Sequence, residues 1–348
     1  MTVRDFQDRI RDAVAGNKTL RLRGGGTKDF YGNALRGDLL DTRSYAGIVS
    51  YEPTELVVTA RCGTPLLELE KTLEANVQCL PFEPPHFGAG ATVGGCVAAG
   101  LSGPRRAAAG ALRDFVLGVK LVDGRGQALA FGGQVMKNVA GYDVSRLVAG
   151  SLGTLGLIAE VSLKVAPRPQ SEATLRLEAP HERALELVNR WAGQPLPVSA
   201  TAWRDGELSV RLSGSEPAVH AAAAKIGGSA VPESLWNAIR EQTHPFFSDG
   251  EPLWRLALPS AAPPVNLRGR QLVEWNGALR WLKSDEKAAA VREAARRLRG
   301  HATLFRTADK SAGCFAPLEP VAARLHRDLK AAFDPHGVFN PGRMYAEL

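Results

Sequence analysis

The sequence predicts an α+β protein, and three observations carry that expectation. Short strands and hairpins are mixed with amphipathic helices, without the regular strand–helix alternation of a doubly wound sheet. Glycine, 36 of 348 residues, is crowded into the first half, at Gly24 to Gly26, Gly88 to Gly103, Gly124 to Gly133 and Gly141 to Gly156. Such crowding implies backbone closely apposed to a ligand. From about Pro167 the chain turns rich in Ala, Arg, Glu and Pro, and its elements suit an antiparallel sheet with helices on one side.

Val3, Phe6, Ile10 and Val14 recur at three-to-four spacing, which predicts a helix over residues 3–14. Residues 18–23 (KTLRLR) alternate and run into a glycine loop, and 56–60 form a β-branched strand. Gly63-Thr64-Pro65 reads as a helix start, with Thr64 as N-cap, Pro65 in the first turn, and Leu66, Leu69, Leu73 and Val77 buried. The small residues 92–99 suit a helix whose N-terminus presents bare amides. Residues 116–122 and 128–131 flank DGRG as a hairpin, 143–148 read as a helix, and 154–165 as a long strand. In the second half, strands are expected over 173–177, 200–203, 208–212, 253–258 and 278–282, and helices over 181–192, 218–226, 233–242 and 285–298. The punctuation PRPQSEA from Pro167 marks a boundary.

Composition narrows the function classes. Hydrophobic residues are 45% and charged residues 23%, which excludes a disordered tail, a coiled coil and a polytopic membrane protein. No apolar run approaches the ~20 residues of a membrane helix, and the first 14 residues lack the apolar core of a signal peptide. A cytoplasmic location is therefore expected. Cys62, Cys79, Cys96 and Cys314 form no CxxC pair and no cluster with histidine, so neither a metal site nor a disulfide framework is expected. The net charge of +7 favours anions. Basic residues are scattered and aromatics are only 7%, so no nucleic-acid partner is expected.

Two glycine motifs carry chemistry. Arg23-Gly24-Gly25-Gly26-Thr27 follows a strand, and its successive N–H groups can converge on an anion such as a pyrophosphate. A mobile glycine turn would read the same way. The stretch lacks the GxxxxGK[ST] of a P-loop and the GxGxxG of a dinucleotide fold. The segment Gly88 to Gly95, GAGATVGG, leaves only backbone amides and Thr92 as polar groups; it suits either a wrapped ring or phosphate, or a tightly packed structural helix.

RGGGT, ATVGG with AAGLSG, RDFVLGVKLVDGRG, AGYDVSRL, GSLGTLGLIAEVSLKV and DPHGVFNPGRM occur in one order along the chain. In that order they resemble the FAD-binding domain of the vanillyl-alcohol oxidase and p-cresol methylhydroxylase (PCMH) family, over most of residues 20–167 and 334–344. The wording KNVAGYDVSRLVAGSLGTLG, GHATLFR from Gly300 and FDPHGVFNPGRMY is similar to the smaller FAD-binding flavoprotein subunit of bacterial glycolate oxidases. The resemblance implies a PCMH-type FAD-binding domain of two α/β subdomains over 1–167, an antiparallel-sheet α+β cap over 168–330, and a tail, 331–348, returning to the FAD domain.

Carried over position by position, Arg23, Gly24, Gly25, Gly26 and Thr27 would hold the FAD pyrophosphate. Pro84, Pro85, Ala91, Thr92, Val93, Gly94 and Gly95 would follow the flavin side, with Gly103 close to it. Arg113 and Asp114 would lie in an arginine-containing loop near the cofactor, and Gly141 and Tyr142 beside the pyrophosphate or ring. Gly156, Leu157 and Ile158 would contact the adenosine half, and Asn340 and Arg343 would return toward the flavin. The glycine loop holds neither His nor Cys, so a non-covalent flavin is expected, although Cys96 and His86 lie nearby in sequence.

The resemblance also implies an FAD-dependent oxidoreductase complex oxidising glycolate, or a similar 2-hydroxy acid, to glyoxylate. Its partners would be a larger flavoprotein subunit and an iron–sulfur subunit, with any contact to the inner membrane made through them. Catalytic relatives carry an HxGDGNxH motif that is absent here. Substrate oxidation is therefore expected in the larger subunit, with an accessory, electron-transfer or assembly role for this one. A self-sufficient oxidoreductase and a structural subunit with a vestigial flavin pocket are the alternatives. Weak catalytic candidates are His301 with Arg306, as a joint anion site or as a core histidine and a surface ion pair. Arg255 and Arg280 alternate with Trp254, Trp275 and Trp281, on either the flavin's open face or a solvated sheet face.

Overall fold

A computed structural model describes residues 1–133 and 143–348. The first helix is Val3–Ala15, started by a reciprocal cap in which the Thr2 hydroxyl accepts from Asp5 N–H and the Asp5 carboxylate accepts from Thr2 N–H. It buries Phe6 and Ile10 completely, each worth about 1.5–3 kcal/mol.

The strand Leu20–Arg23 pairs in parallel with Asp38–Asp41. On its other side it receives the chain terminus. Leu20 N–H donates to Val338 O at 2.7 Å, and Asn340 N–H donates to Leu20 O at 2.9 Å. The tail thus returns beside the glycine loop from more than 300 residues away.

A five-stranded antiparallel sheet follows, in the order Ile48–Glu52, Val57–Arg61, Leu157–Lys164, Val116–Val122, Ala128–Gly132. The expected hairpin at DGRG is its last pair. Its central strand is covered on both faces. Leu157 and Ala159 pack toward the first helix, while Ile158, Val161 and Leu163 join Phe82, Val97 and Val119 on the opposite face. Two expectations about the neighbouring helix, Leu66–Glu74, fail. Thr64 does not cap it; its hydroxyl is bonded to Gly47 N–H and O at 2.9 and 3.1 Å. Val77 lies past the helix end with φ +55° and is 67% exposed, because the chain has already turned outward.

The second sheet has eight strands, all antiparallel, in the order Ser229–Ala230, Ser171–Glu178, Glu207–Gly214, Val198–Arg204, Arg270–Glu274, Leu279–Lys283, Leu253–Ala257, His301–Arg306. Arg270–Glu274, His301–Arg306 and the final helix Pro320–Phe333 were not expected from periodicity. The two strands carry charges at inward or terminal positions, and the helix buries none of its residues. Helices do not keep to one side, either. His181–Ala192, Glu216–Ile226 and Ala288–Arg297 supply core residues, but Trp236 and Ile239 of Ser234–Arg240 pack on Ala200 and Ala202 on the opposite face of their strands.

The faces of the last four strands matter most for the site. Cross-strand partners point the same way, so Arg255 shares a face with Trp281 and Thr303, whereas Arg280 shares one with Leu256 and Ala302. The first face meets Tyr31, Ala99, Leu101 and Leu152 from the N-terminal half.

Candidate functional site

The glycine loop leaves the strand at Arg23. The N–H groups of Gly24, Gly25, Gly26, Thr27 and Lys28 donate to no protein acceptor among the described residues. Such a run of free amides is available to an anionic ligand. Gly26 has φ +74°, and a Cβ on Gly25 would fall on the Gly90 carbonyl, so the two glycine loops pack backbone to backbone. Arg23 is held by Asp29 at 2.7 Å.

The helix Val93–Ala99 begins at Thr92, whose hydroxyl accepts from Gly95 N–H at 3.3 Å. Its first amides are not bare. Val93 N–H donates to Thr64 O at 2.9 Å and Gly94 N–H to Cys62 O at 2.8 Å. The segment therefore supplies a flat, small-residue wall, and the free donors belong to the loop at 24–28.

Loop, wall and tail line a groove in two adjoining parts. Leu22, Arg23, Gly24, Gly95, Ala98, Leu152 and Asn340 line both. The first part adds Gly25, Gly26, Thr27, Thr92 and Arg343; the second adds Gly94, Gly156, Leu157 and Ile158. Asn340 is buried and stitches the floor. Its Oδ1 accepts from Leu22 N–H at 2.9 Å, and its Nδ2 donates to Leu152 O at 2.7 Å. Arg343 donates to Asp29 O at 3.0 Å and to Asn33 O, so it shapes the loop after the nest. Lys28 and Leu152 were not singled out from sequence; Lys28 was legible as the residue directly after the nest.

The remaining residues expected at the cofactor do not line this groove. Pro84, Ala91 and Val93 are buried behind the wall. Arg113 and Asp114 are exposed on a short 3-10 turn, where Asp114 accepts from Ala111 N–H, and neither lines the groove. Gly141 and Tyr142 fall outside the described residues. The Cys96 thiol is pushed up to about 12 by burial, and the His86 ring sits 2.9 Å from Glu70.

Gly103 lines a separate, small pocket between the two halves of the chain, with Pro85, Phe87, Arg240, Arg255, Glu274, Trp281 and Phe305. Burial pushes the Glu274 carboxyl up to about 7, although Trp281 Nε1 donates to it at 2.7 Å. Glu274 was missed at the sequence level; a lone acid in the apolar run of RQLVEW was the available signal.

The weak catalytic candidates separate. His301 and Arg306 stand at opposite ends of one strand, so about 17 Å of backbone divides them. Arg306 lies over the Phe30 ring at 4.1 Å and donates to Gln242 at 3.0 Å. Arg280 is fully buried and donates to the carbonyls of Ala262, Pro263 and Gly277, away from the groove.

Residues 1–132 match the family model described as an FAD binding domain. The whole chain is 49% identical over 341 residues to glycolate oxidase subunit GlcE of Escherichia coli strain K12, covering 98% of this chain and 97% of that protein. The chain belongs to the glycolate oxidase subunit GlcE family. A glycolate oxidase subunit GlcD from Bacillus subtilis is 33% identical over 37% of this chain and 27% of its own. A D-lactate dehydrogenase from Archaeoglobus fulgidus is 32% identical over 56% of this chain and 44% of its own. A solved alkyldihydroxyacetonephosphate synthase shares the fold, with TM-score 0.66 at 16% identity over 96% of this chain and 74% of that one. The α+β architecture with antiparallel sheets is thus the PCMH-type fold, in an FAD-dependent oxidoreductase family. FAD fits the residues present, because the free amides at 24–28 suit its pyrophosphate and the groove lined by small residues suits a long, flat cofactor.

Proposed function

We propose that this chain is the smaller FAD-holding subunit of a glycolate-oxidising assembly, acting beside a larger flavoprotein subunit and an iron–sulfur subunit. The observation that carries the reading is the run of unpaired amides from Gly24 to Lys28 in a groove closed by Asn340. The near full-length similarity to a glycolate oxidase subunit supports the substrate class. Bound FAD would supply the two-electron acceptor. The amides of 24–28 would hold its pyrophosphate, Gly94 and Gly95 its flavin side, and Gly156 to Ile158 its adenosine half.

Non-covalent binding is supported by the buried Cys96 thiol and the engaged His86 ring. An accessory, electron-transfer role is supported by the absence of HxGDGNxH from the sequence. The chain divides, on this reading, into an FAD domain over 1–167, a cap over 168–330 and a returning tail over 331–348. No described helix is long and apolar enough to cross a membrane, and we assign any membrane contact, on the cytoplasmic side, to the partner subunits.

The test is the visible spectrum of the chain purified alone, before and after denaturation. Stoichiometric flavin released into solution is the expected result. A colourless chain that still assembles with its partners would leave the vestigial-pocket reading in its place.

A further inference from the structure

The turn that follows the free amides, residues 28–33, is held from two distant parts of the chain. Lys310 Nζ donates to Phe30 O at 2.7 Å and to Gly32 O at 2.6 Å. Arg343 takes the carbonyls on either side, donating to Asp29 O at 3.0 Å, to Lys28 O at 3.5 Å and to Asn33 O. Five of the six carbonyls from Lys28 to Asn33, all but that of Tyr31, are thus bound by two cations. Lys310 belongs to residues 307–319, which join the strand His301–Arg306 to the helix Pro320–Phe333. That segment is itself anchored on both sides. Leu304 N–H donates to Cys314 O at 2.8 Å, and Cys314 N–H donates to Asn33 Oδ1 at 2.9 Å. The Tyr31 ring packs between Phe305 and Phe315, at 5.1 and 5.6 Å.

Hydrogen bonds from a charged donor are about twice as strong as neutral ones, and a planar peptide whose carbonyl is fixed cannot turn its amide. The turn therefore keeps one shape without any ligand. That constraint reaches the glycines, because Asp29 N–H donates back to Gly26 O at 3.0 Å. Three successive glycines would otherwise sample the widest range of backbone conformations, and an anion would have to order them on binding. Lys310 and Arg343 form no ion pair among the described residues, and Asp29, the carboxylate whose charge both feel, is paired with Arg23 at 2.7 Å. Arg343 also lines the groove, whereas Lys310 does not. Any effect of Lys310 on a ligand there must pass through the turn. Residue 310 lies far outside residues 1–132, which match the FAD binding domain model.

We propose that Lys310 is a positioning residue for the cofactor's pyrophosphate: by clamping the carbonyls of Phe30 and Gly32 it keeps the amides of 24–28 aligned, so that cofactor retention depends on the C-terminal half of the chain. The inference rests on the reading of the groove as the FAD site. Its specific content is that the clamp acts on the phosphate-binding part of that site, through a residue that never touches the ligand.

The full chain, stripped of flavin, is titrated with FAD and with ADP, which carries the pyrophosphate without the flavin, and its urea midpoint is measured in parallel. Lys310→Met should weaken both nucleotides to the same extent, by roughly tenfold or more, with the midpoint of the flavin-free chain close to that of the parent. Lys310→Arg, which keeps the charge and the donors, should recover most of the affinity. Unchanged FAD and ADP binding in Lys310→Met overturns the clamp and leaves the flavin reading standing. So does a loss that arginine does not recover and that follows a general fall in the urea midpoint, since that is a structural role alone. Weakened FAD with unchanged ADP also overturns it, because the effect would then lie outside the pyrophosphate. ADP binding that depends on Lys310 in a chain that never takes up FAD supports the clamp and overturns the flavin reading instead. A parent chain that binds neither nucleotide overturns both.

Discussion

The groove at Gly24–Lys28 and the pocket at Arg255 lie in one molecule but build their positive potential by opposite means. In the groove the donors are main-chain amides, fixed by backbone geometry and requiring no side-chain ordering. In the pocket they are side chains of distant segments, desolvated by aromatic walls and set by sheet register. An amide nest tolerates a constant ligand group such as a pyrophosphate. A side-chain pocket can be tuned to one small molecule.

Gly25→Val should break the first half of that comparison with the largest effect. Its Cβ would fall on the Gly90 carbonyl, and flavin absorbance after desalting should drop to near background while circular dichroism shows the chain still folded. Full flavin occupancy would remove the nest from the account.

Glu83→Gln tests how the two halves are held together. Burial alone would raise the Glu83 carboxyl, but Arg211 and Arg105 hold it below the usual carboxylate value. Its contribution is therefore present at neutral pH and lost as pH falls through that lowered value. Breaking such a buried pair costs about 3–5 kcal/mol, to be read as a fall in the urea midpoint at pH 7; a midpoint within error of the parent would mean that the pair is dispensable.

Glu274 gives the opposite sign. With its carboxyl pushed up to about 7 by burial, against an ordinary value near 4.5, the folded state prefers the proton. Trp281 and Arg255 pull the value down and Glu83 pushes it up. Stability present below about pH 4.5 is lost as pH rises through 7, by up to ~3 kcal/mol. Glu274→Gln should therefore gain on the parent between pH 5 and pH 8 in paired urea melts, and a constant difference would contradict a buried, unpaired acid.

Asn340→Ala should have the smallest effect of the four, about 1–3 kcal/mol, because it leaves Leu22 N–H and Leu152 O without their partner. A lower melting temperature with weaker flavin retention would tie groove and tail together.

Local signals made the first half legible. The spacing of Phe6 and Ile10, the DGRG turn and the crowded glycines each express a requirement met within a few residues. The same locality misled at Thr64, whose hydroxyl found Gly47 instead of a helix amide, and at residues 92–94, whose amides found Thr64 and Cys62. His301 and Arg306 were paired by closeness in sequence and parted by strand geometry.

By itself the sequence determined the α+β class, the place of the glycine loop and the family, because glycine spacing and ordered motif blocks are properties of the chain. Tertiary structure decided the rest. Whether Arg255 or Arg280 faces the FAD-bearing half depends on which residues stand opposite each other in antiparallel strands. Whether Glu274 is ordinary or perturbed depends on how much water the packed halves exclude. Register and burial arise only when segments far apart in sequence meet, and no local pattern encodes them.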